Sequence, residues 1–185
     1  MVQDEIRMLN HHLEEESVAW KTVACWLLLS FNAGCINAGG FIATGRFVSH
    51  VTGFATLFGV DLAHSRVDAA FGILSVPLYF LLGAFLAGIM IDHRVDQGKK
   101  PRYDFVLGLS ALCLVLAAFE DEIWGMRAFG QDYRLKQNYI LLVLLCLTSG
   151  LQNAAISYSS RRSVRTTHLT GLTTDLGLGL AHLFL

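Results

Sequence analysis

Six mainly apolar stretches divide the chain. They cover residues of about 20–44, 47–65, 69–91, 104–119, 138–158 and 166–185. Three of them contain long runs without Asp, Glu, Lys or Arg: 24 residues at Thr22–Gly45, 23 at Ala69–Ile91 and 24 at Gln137–Ser160. About 20 apolar residues suffice for a helix to cross the hydrocarbon core of a bilayer. The pattern therefore predicts an all-α fold, a polytopic transmembrane helical bundle of about six apolar segments.

The other three segments are less clearly defined. The fourth has only 15 uncharged residues between Asp104 and Glu120. The second and sixth contain Asp61 and Asp175, so they could span, tilt or re-enter. Within the third segment, Pro77 predicts a kink, which membrane helices tolerate where neighbours satisfy the freed carbonyl. If all six segments span, the two sides hold six and eight basic residues. The positive-inside rule therefore leaves the orientation of the N-terminus open.

Composition agrees with a membrane location and removes several classes of function. Only 16% of the 185 residues are charged, against about 25% in a soluble domain. The net charge of −1 gives no reason to expect a nucleic-acid partner. The four cysteines lie within apolar segments without metal-type spacing. Residues 1–19 form an acidic, polar tail unlike a signal peptide, and residues 20–185 are predicted to form one transmembrane domain.

An internal repeat is the most specific feature of the chain. His50–His64 aligns without gaps on His168–His182, with eight of fifteen positions identical. Upstream, Gly34-x-x-Asn37-Ala38 matches Gly150-x-x-Asn153-Ala154. Chance similarity between apolar helices gives scattered Leu and Ala rather than matched polar motifs. We therefore expect segments one and two to recur as segments five and six, in repeats of about 30–64 and 148–182.

Ionisable residues recur at helical spacing in the second segment of each repeat. At 100° per residue, two histidines and an aspartate fall on one face of each segment: His50, Asp61 and His64, and then His168, Asp175 and His182. Ionisable groups within membrane helices are costly, and they mark substrate or proton pathways by default. Fourteen residues rise about 21 Å, however. The histidines could thus lie near opposite interfaces with no functional role.

Small and polar residues accompany this face. Gly53 and Gly171 would allow close approach of neighbouring helices. Thr52 and Thr170 could bond to nearby carbonyls or mark a helix break that frees backbone groups for a ligand. Asn37 and Asn153 could flank a path or bond a neighbouring helix. The predicted substrate path comprises Asn37, His50, Thr52, Gly53, Asp61, His64, Asn153, His168, Thr170, Gly171, Asp175 and His182.

The paired motifs resemble the YoaK-like family of uncharacterised bacterial membrane proteins. The resemblance rests on the two Gly-x-x-Asn-Ala motifs, on Phe47–Gly53 and on Thr166–Leu176. It implies about six spans and a multi-pass location in the bacterial inner membrane. The family tends to have Asp at the position of Asn37 and Asn at that of Phe54. It usually continues for another span, so we expect the chain to be truncated at its C-terminus.

These features favour a transporter or channel-like carrier of an unknown small solute, embedded in lipid. In that hypothesis the duplicated helices line the path or relay protons. Two alternatives stay open: a membrane electron carrier with haem held between paired histidines, and a non-transporting scaffold. No nucleophile–base pair, metal motif or nucleotide loop is visible in the sequence, so we expect neither an enzyme nor a resident cofactor. The oligomeric state is open, including a homo-oligomer.

Overall fold

The computed structural model describes residues 19–119, 139–161 and 164–165. Within these ranges the chain folds into helices and turns. The helices are α1 (Trp20–Thr44), α2 (Val51–Ala63), α3 (Val67–Met90), α4 (Asp92–Asp96), α5 (Tyr103–Ala118) and α6 (Tyr139–Ser159). The first five predicted segments correspond to α1, α2, α3, α5 and α6. The sixth, with the acidic tail up to residue 18 and the 120–138 connection, lies outside the described residues.

Three of the described helices are long and apolar enough to cross a membrane. They are α1, the continuous stretch Val67–Asp96 that joins α3 to α4, and α6. Large apolar side chains point outward on α1 and on α3. On α1, Leu28 is 68% exposed and Phe31 is 74% exposed. A soluble protein would not present such continuous apolar faces to water. The described part of the chain is thus an all-helical membrane protein, with α3 continuing through Pro77.

Helix α6 lies at the centre of the bundle. It packs against α3, α5 and α1, while α2 packs against α3. Most of its length is buried, including Leu142, Cys146 and Leu151. Helices α3 and α6 run parallel, since Gly83 lies against Leu147 whereas Gly88, further along α3, lies against Tyr158. The bundle is therefore organised around one polar-containing helix that is shielded from lipid.

Helix α1 runs antiparallel to α6. Near the start of α1, Trp26 Nε1 donates a hydrogen bond to Ser159 Oγ at the end of α6, over 2.8 Å. Further along, Gly40 of α1 lies beside Leu145 in the first half of α6. Because α3 is parallel to α6, it is antiparallel to α1.

Two glycines allow α3 and α6 to meet backbone to backbone. A Cβ atom at Gly150 would lie 2.9 Å from the carbonyl carbon of Phe80 and 3.0 Å from the amide nitrogen of Ala84. Across the contact, a Cβ atom at Gly83 would lie 3.0 Å from the amide nitrogen of Leu151. Small residues at such crossings let membrane helices gain close packing, which replaces the hydrophobic driving force that lipid cannot supply.

Helix α2 continues in the direction of α1 and does not return through the bundle. A three-residue turn joins it to α3, and Phe58 of α2 packs edge-on against Phe71 of α3 at 5.7 Å between centroids, so the two helices are antiparallel. Since α1 is also antiparallel to α3, α1 and α2 run in the same general direction. The 13 residues of α2 rise about 20 Å, too short to cross the roughly 30 Å hydrocarbon core alone. The second predicted segment is thus the continuation of an interrupted helix.

Candidate functional site

Residues 45–50, here called the break, separate α1 from α2. Helix α1 ends at Gly45, whose φ of 68° is the left-handed conformation that glycine adopts without steric cost. The chain then turns inward, so that the side chain of Val48 is only 1% exposed. Gly40 makes room for it, because a Cβ atom there would lie 2.6 Å from Val48 Cγ1. The break is consequently packed into the bundle.

Asn37 satisfies the backbone of the break. Its Oδ1 accepts hydrogen bonds from the amide N–H groups of Val48 and Ser49, both over 3.1 Å. On the other side, the thiol of Cys146 donates to the carbonyl of Val48 over 3.0 Å. Backbone groups left unpaired in a membrane interior cost several kcal/mol each. Asn37, which the sequence places beside a path, therefore has a definite role in holding the break.

The break lies at the depth of the apolar part of α3. Val48 belongs to the same buried cluster as Ile73, Val76 and Cys146. Cys146 is one helical turn before Gly150, which packs against Phe80. These contacts place the break alongside the first half of the uncharged run Ala69–Ile91. Non-helical backbone is tolerated at this depth only where it is buried in protein or lines a wet cavity.

A cavity of about 330 Å³ opens beside the break. Its walls are largely aromatic: Phe41 and Phe47 stack at 4.5 Å between centroids, and Phe54 closes another side. Two basic side chains, Arg46 and His50, join the lining. This size is within the range of small-molecule sites, which combine apolar walls with a few placed polar groups.

Arg46 has donor capacity that the described residues do not use. Its Nε atom is buried and has no hydrogen-bond partner among them. One of its terminal nitrogens donates a long bond of 3.5 Å to the carbonyl of Thr44. Arg46 lies between the first and second predicted segments and is one of the eight basic residues on one side of the six-span topology. Its position between Gly45 and the His50-x-Thr-Gly motif is the sequence feature that could have indicated a role for Arg46 in the site.

Asp61 lies outside this cavity, near the end of α2. Its carboxylate forms an ion pair of 2.6 Å with Arg66, and its carbonyl accepts the backbone N–H of Arg66 over 2.8 Å. It also interacts electrostatically with Arg46. The ion pair stabilises the turn from α2 into α3. Through its interaction with Arg46, the Asp61 carboxylate also attracts the positive charge of the break.

The remaining predicted residues of the first repeat lie in different places. His50 precedes α2, is exposed, and meets Phe47 edge-on at 5.6 Å between centroids. Gly53 lines the cavity, whereas the carbonyl of Thr52 accepts the hydroxyl of Thr56 over 3.1 Å. His64 follows α2 and is exposed, with Nδ1 2.8 Å from the carbonyl of Val60. The two histidines therefore lie at the two ends of α2, just outside the helix.

Of the predicted path residues in the second repeat, only Asn153 is described. It lies on α6, half-buried and engaged in an interaction of its own. The other predicted residues, His168, Thr170, Gly171, Asp175 and His182, lie outside the described residues. Their assignment to a path stays a prediction.

A buried chain of side-chain hydrogen bonds links three helices. Asn32 Nδ2 of α1 donates to Gln152 Oε1 of α6 over 3.2 Å, and Gln152 Nε2 donates to Ser110 Oγ of α5 over 2.8 Å. Thr148 adds a weaker bond to the Ser110 carbonyl at 3.4 Å. None of these four residues belongs to the predicted substrate path. Their signal was a glutamine within an uncharged run, where a polar group requires partners on neighbouring helices.

Comparison with known proteins assigns the chain to a family. Residues 25–184 match the family described as a protein of unknown function, DUF1275. The chain belongs to the DUF1275 family. The chain is also similar to the UPF0700 transmembrane protein YoaK of Bacillus subtilis (strain 168), with 25% identity over 150 residues, which cover 80% of this chain. The predicted resemblance to the YoaK-like family is therefore confirmed. The chain spans 63% of the length of that relative. No solved structure matches the chain.

Proposed function

We propose that this DUF1275 protein is a membrane carrier of a small solute, with the break forming part of its path. The observation that supports this most directly is non-helical backbone packed against the uncharged part of α3, beside a cavity. Many secondary carriers place their binding sites at such interrupted helices, where backbone and buried polar groups meet a ligand. In a scaffold that only has to pack, a continuous helix would satisfy the same backbone at lower cost.

The relation between α1 and α6 gives further support. If the two motifs descend from one duplicated unit, α1 and α6 are equivalent helices, and they run antiparallel. Gly34 and Gly150 are the equivalent first residues of the two motifs. Asn32 lies two residues before Gly34, and its hydrogen-bond partner Gln152 lies two residues after Gly150. Equivalent helices that pair in this mirrored way are related by a two-fold axis in the membrane plane. That is the inverted-repeat architecture on which many alternating-access carriers are built.

Water access to the break tests the proposal without knowledge of the solute. In a background without native cysteines, His50→Cys should react with a membrane-impermeant maleimide. Leu28→Cys is the control, because Leu28 is 68% exposed on a lipid-facing part of α1 and should stay unreactive. Equal and negligible labelling of both positions would contradict a wet path through the break.

Transport itself is measured as uptake of a panel of labelled small solutes into proteoliposomes. Asn37→Leu should abolish uptake, because Val48 and Ser49 lose the acceptor for both amide groups. Asn37→Asp keeps an oxygen at that position and should retain uptake. If Asp61→Asn and Asp175→Asn both leave flux unchanged, the proton-relay hypothesis fails. Absence of flux for every solute, with a correctly folded protein, would favour the scaffold.

A further inference from the structure

The surroundings of the break contain more positive than negative charge. Among the described residues, Arg46 and Arg66 share one nearby carboxylate, that of Asp61. Arg66 holds this carboxylate at 2.6 Å, and the Asp61 side chain is only 13% exposed. Buried charges in a membrane protein are normally paired, and among the described residues the Asp61 carboxylate that acts on Arg46 is already paired with the exposed Arg66.

The Arg46 side chain also has directional capacity for an anion. A guanidinium presents its N–H groups as a planar fork that matches a carboxylate. The buried Nε of Arg46 makes no hydrogen bond with the described residues, and another of its nitrogens makes only the 3.5 Å bond to Thr44. A buried donor without a partner destabilises the folded protein. An acceptor that enters the cavity would remove this cost.

The start of α2 provides a second source of positive potential. Helix α2 begins at Val51, and its N-cap residue His50 makes no side-chain capping hydrogen bond. The first N–H groups of a helix have no intrahelical acceptor, and together with the helix dipole they favour negative charge. Gly53, in the first turn, belongs to the cavity lining. Arg46 and the start of α2 thus favour the same sign of ligand.

We propose that the cavity beside the break binds a small organic carboxylate from solution, with the carboxylate at Arg46 and an apolar body between the phenylalanines. The aromatic walls formed by Phe41, Phe47 and Phe54 exclude a strongly hydrated inorganic anion in favour of one with an apolar part. A volume of about 330 Å³ limits the ligand to a small molecule. The inference deepens the carrier proposal and rests on it for the ligand's passage through the membrane.

Benzoate is a suitable probe, and benzamide is its neutral counterpart of nearly the same shape. Titration calorimetry on the protein in phosphatidylcholine nanodiscs should show saturable benzoate binding. Benzamide should bind at least about tenfold more weakly, since the loss of one partner of a charge pair typically costs this much or more. Equal affinity for both compounds, or no benzoate binding, would overturn the proposal.

Variants locate the site. Arg46→Gln should weaken benzoate binding by at least about tenfold, and Arg46→Lys should restore part of it. Arg94→Gln is the matched control, because Arg94 is a half-buried arginine of α4 outside the cavity and its replacement should not change the affinity. Undiminished binding in Arg46→Gln would refute the assignment. Since the benzoate–benzamide comparison uses the unaltered protein, the proposal can be tested even if Arg46→Gln does not fold.

Two further experiments distinguish a solute from a lipid headgroup as the ligand, and binding from transport. Replacing phosphatidylcholine with phosphatidylglycerol should leave benzoate binding intact; its loss would assign the cavity to a lipid phosphate and overturn the solute assignment. Benzoate uptake into proteoliposomes tests transport independently. Binding without uptake of any solute would support the anion site and contradict the carrier. Uptake of neutral solutes without benzoate binding would support the carrier and contradict the anion site.

Discussion

Substitution of Gly150 by alanine should loosen the bundle at its tightest point. The new Cβ atom would lie 2.9 Å from the carbonyl carbon of Phe80, and closer still to its oxygen. Both neighbours are backbone atoms of α3, so no side chain can rotate away. Helices α3 and α6 must therefore move apart, by roughly 1 Å, and a gap of 0.5–1 Å already forfeits a quarter to a half of each dispersion contact.

The expected magnitude follows from two opposing effects. Overpacking of a close contact costs about 1–3 kcal/mol, and this contact belongs at the upper end because only backbone can yield. Replacing a helical glycine by alanine returns up to about 1 kcal/mol of helix propensity. The net loss for Gly150→Ala is then about 2 kcal/mol. At Gly108 of α5, no atom lies within 4 Å of an added Cβ. Gly108→Ala should therefore gain helix propensity without an overpacking cost.

Unfolding in mixed micelles with increasing sodium dodecyl sulfate, followed by tryptophan fluorescence, measures this difference. Gly150→Ala should unfold at a clearly lower detergent fraction than the unaltered protein, and Gly108→Ala at the same or a higher fraction. Gly83→Ala, on the opposite side of the contact, should resemble Gly150→Ala. The double variant should lose less than the sum of both, because the helices separate only once. If Gly150→Ala unfolds together with Gly108→Ala, the close crossing is refuted.

Three other changes can be followed by the same unfolding assay. Gly40→Ala should destabilise the protein, since the added methyl group meets Val48 at 2.6 Å; Val48→Ala should relieve much of this loss, and simple additivity would contradict the contact. Gln152→Leu should cost about 1–2 kcal/mol, because two interhelical hydrogen bonds vanish; an unchanged midpoint would show that they contribute nothing. Asp61→Asn should cost at most about 1 kcal/mol, since the Arg66 side chain is 58% exposed, and a loss well above this would indicate a deeper role.

Most of the helices could be predicted from the sequence because charged residues delimit them. The predicted segment 20–44 is the observed Trp20–Thr44, and 138–158 differs from Tyr139–Ser159 by one residue at each end. In a membrane protein the position of charge is a strong constraint, since a charged group inside lipid costs several kcal/mol. Local sequence alone contains that information.

The direction of α2 could not be predicted in this way. Its residues read as a second apolar segment, and an ordinary loop at 45–50 would have sent the chain back through the membrane. The break depends on contacts between residues distant in sequence, such as that of Val48 with Cys146, 98 positions away. The Asn32–Gln152 bond spans 120 positions. A hydropathy pattern records the burial of a segment but not its partners, so Arg46 and Gln152 were missed for the same physical reason.

The hydrogen bonds that tie the break to α1 differ in strength from the one that ties it to α6, and this difference bears on how the proposed carrier could open. Val48 is tied to α1 through Asn37, by N–H donors to a carbonyl oxygen, and to α6 through the thiol of Cys146. A thiol is a weak donor, so the contact with α6 is the weaker of the two. In the proposed carrier, a movement of α6 together with α3, locked by Gly83 and Gly150, would break this thiol bond while Asn37 keeps the break attached to α1. The same movement would also have to break the bonds from α1 to Ser159 and Gln152 of α6. Rigid-body rocking of one part of a bundle against another around a fixed site is the motion that alternating access requires.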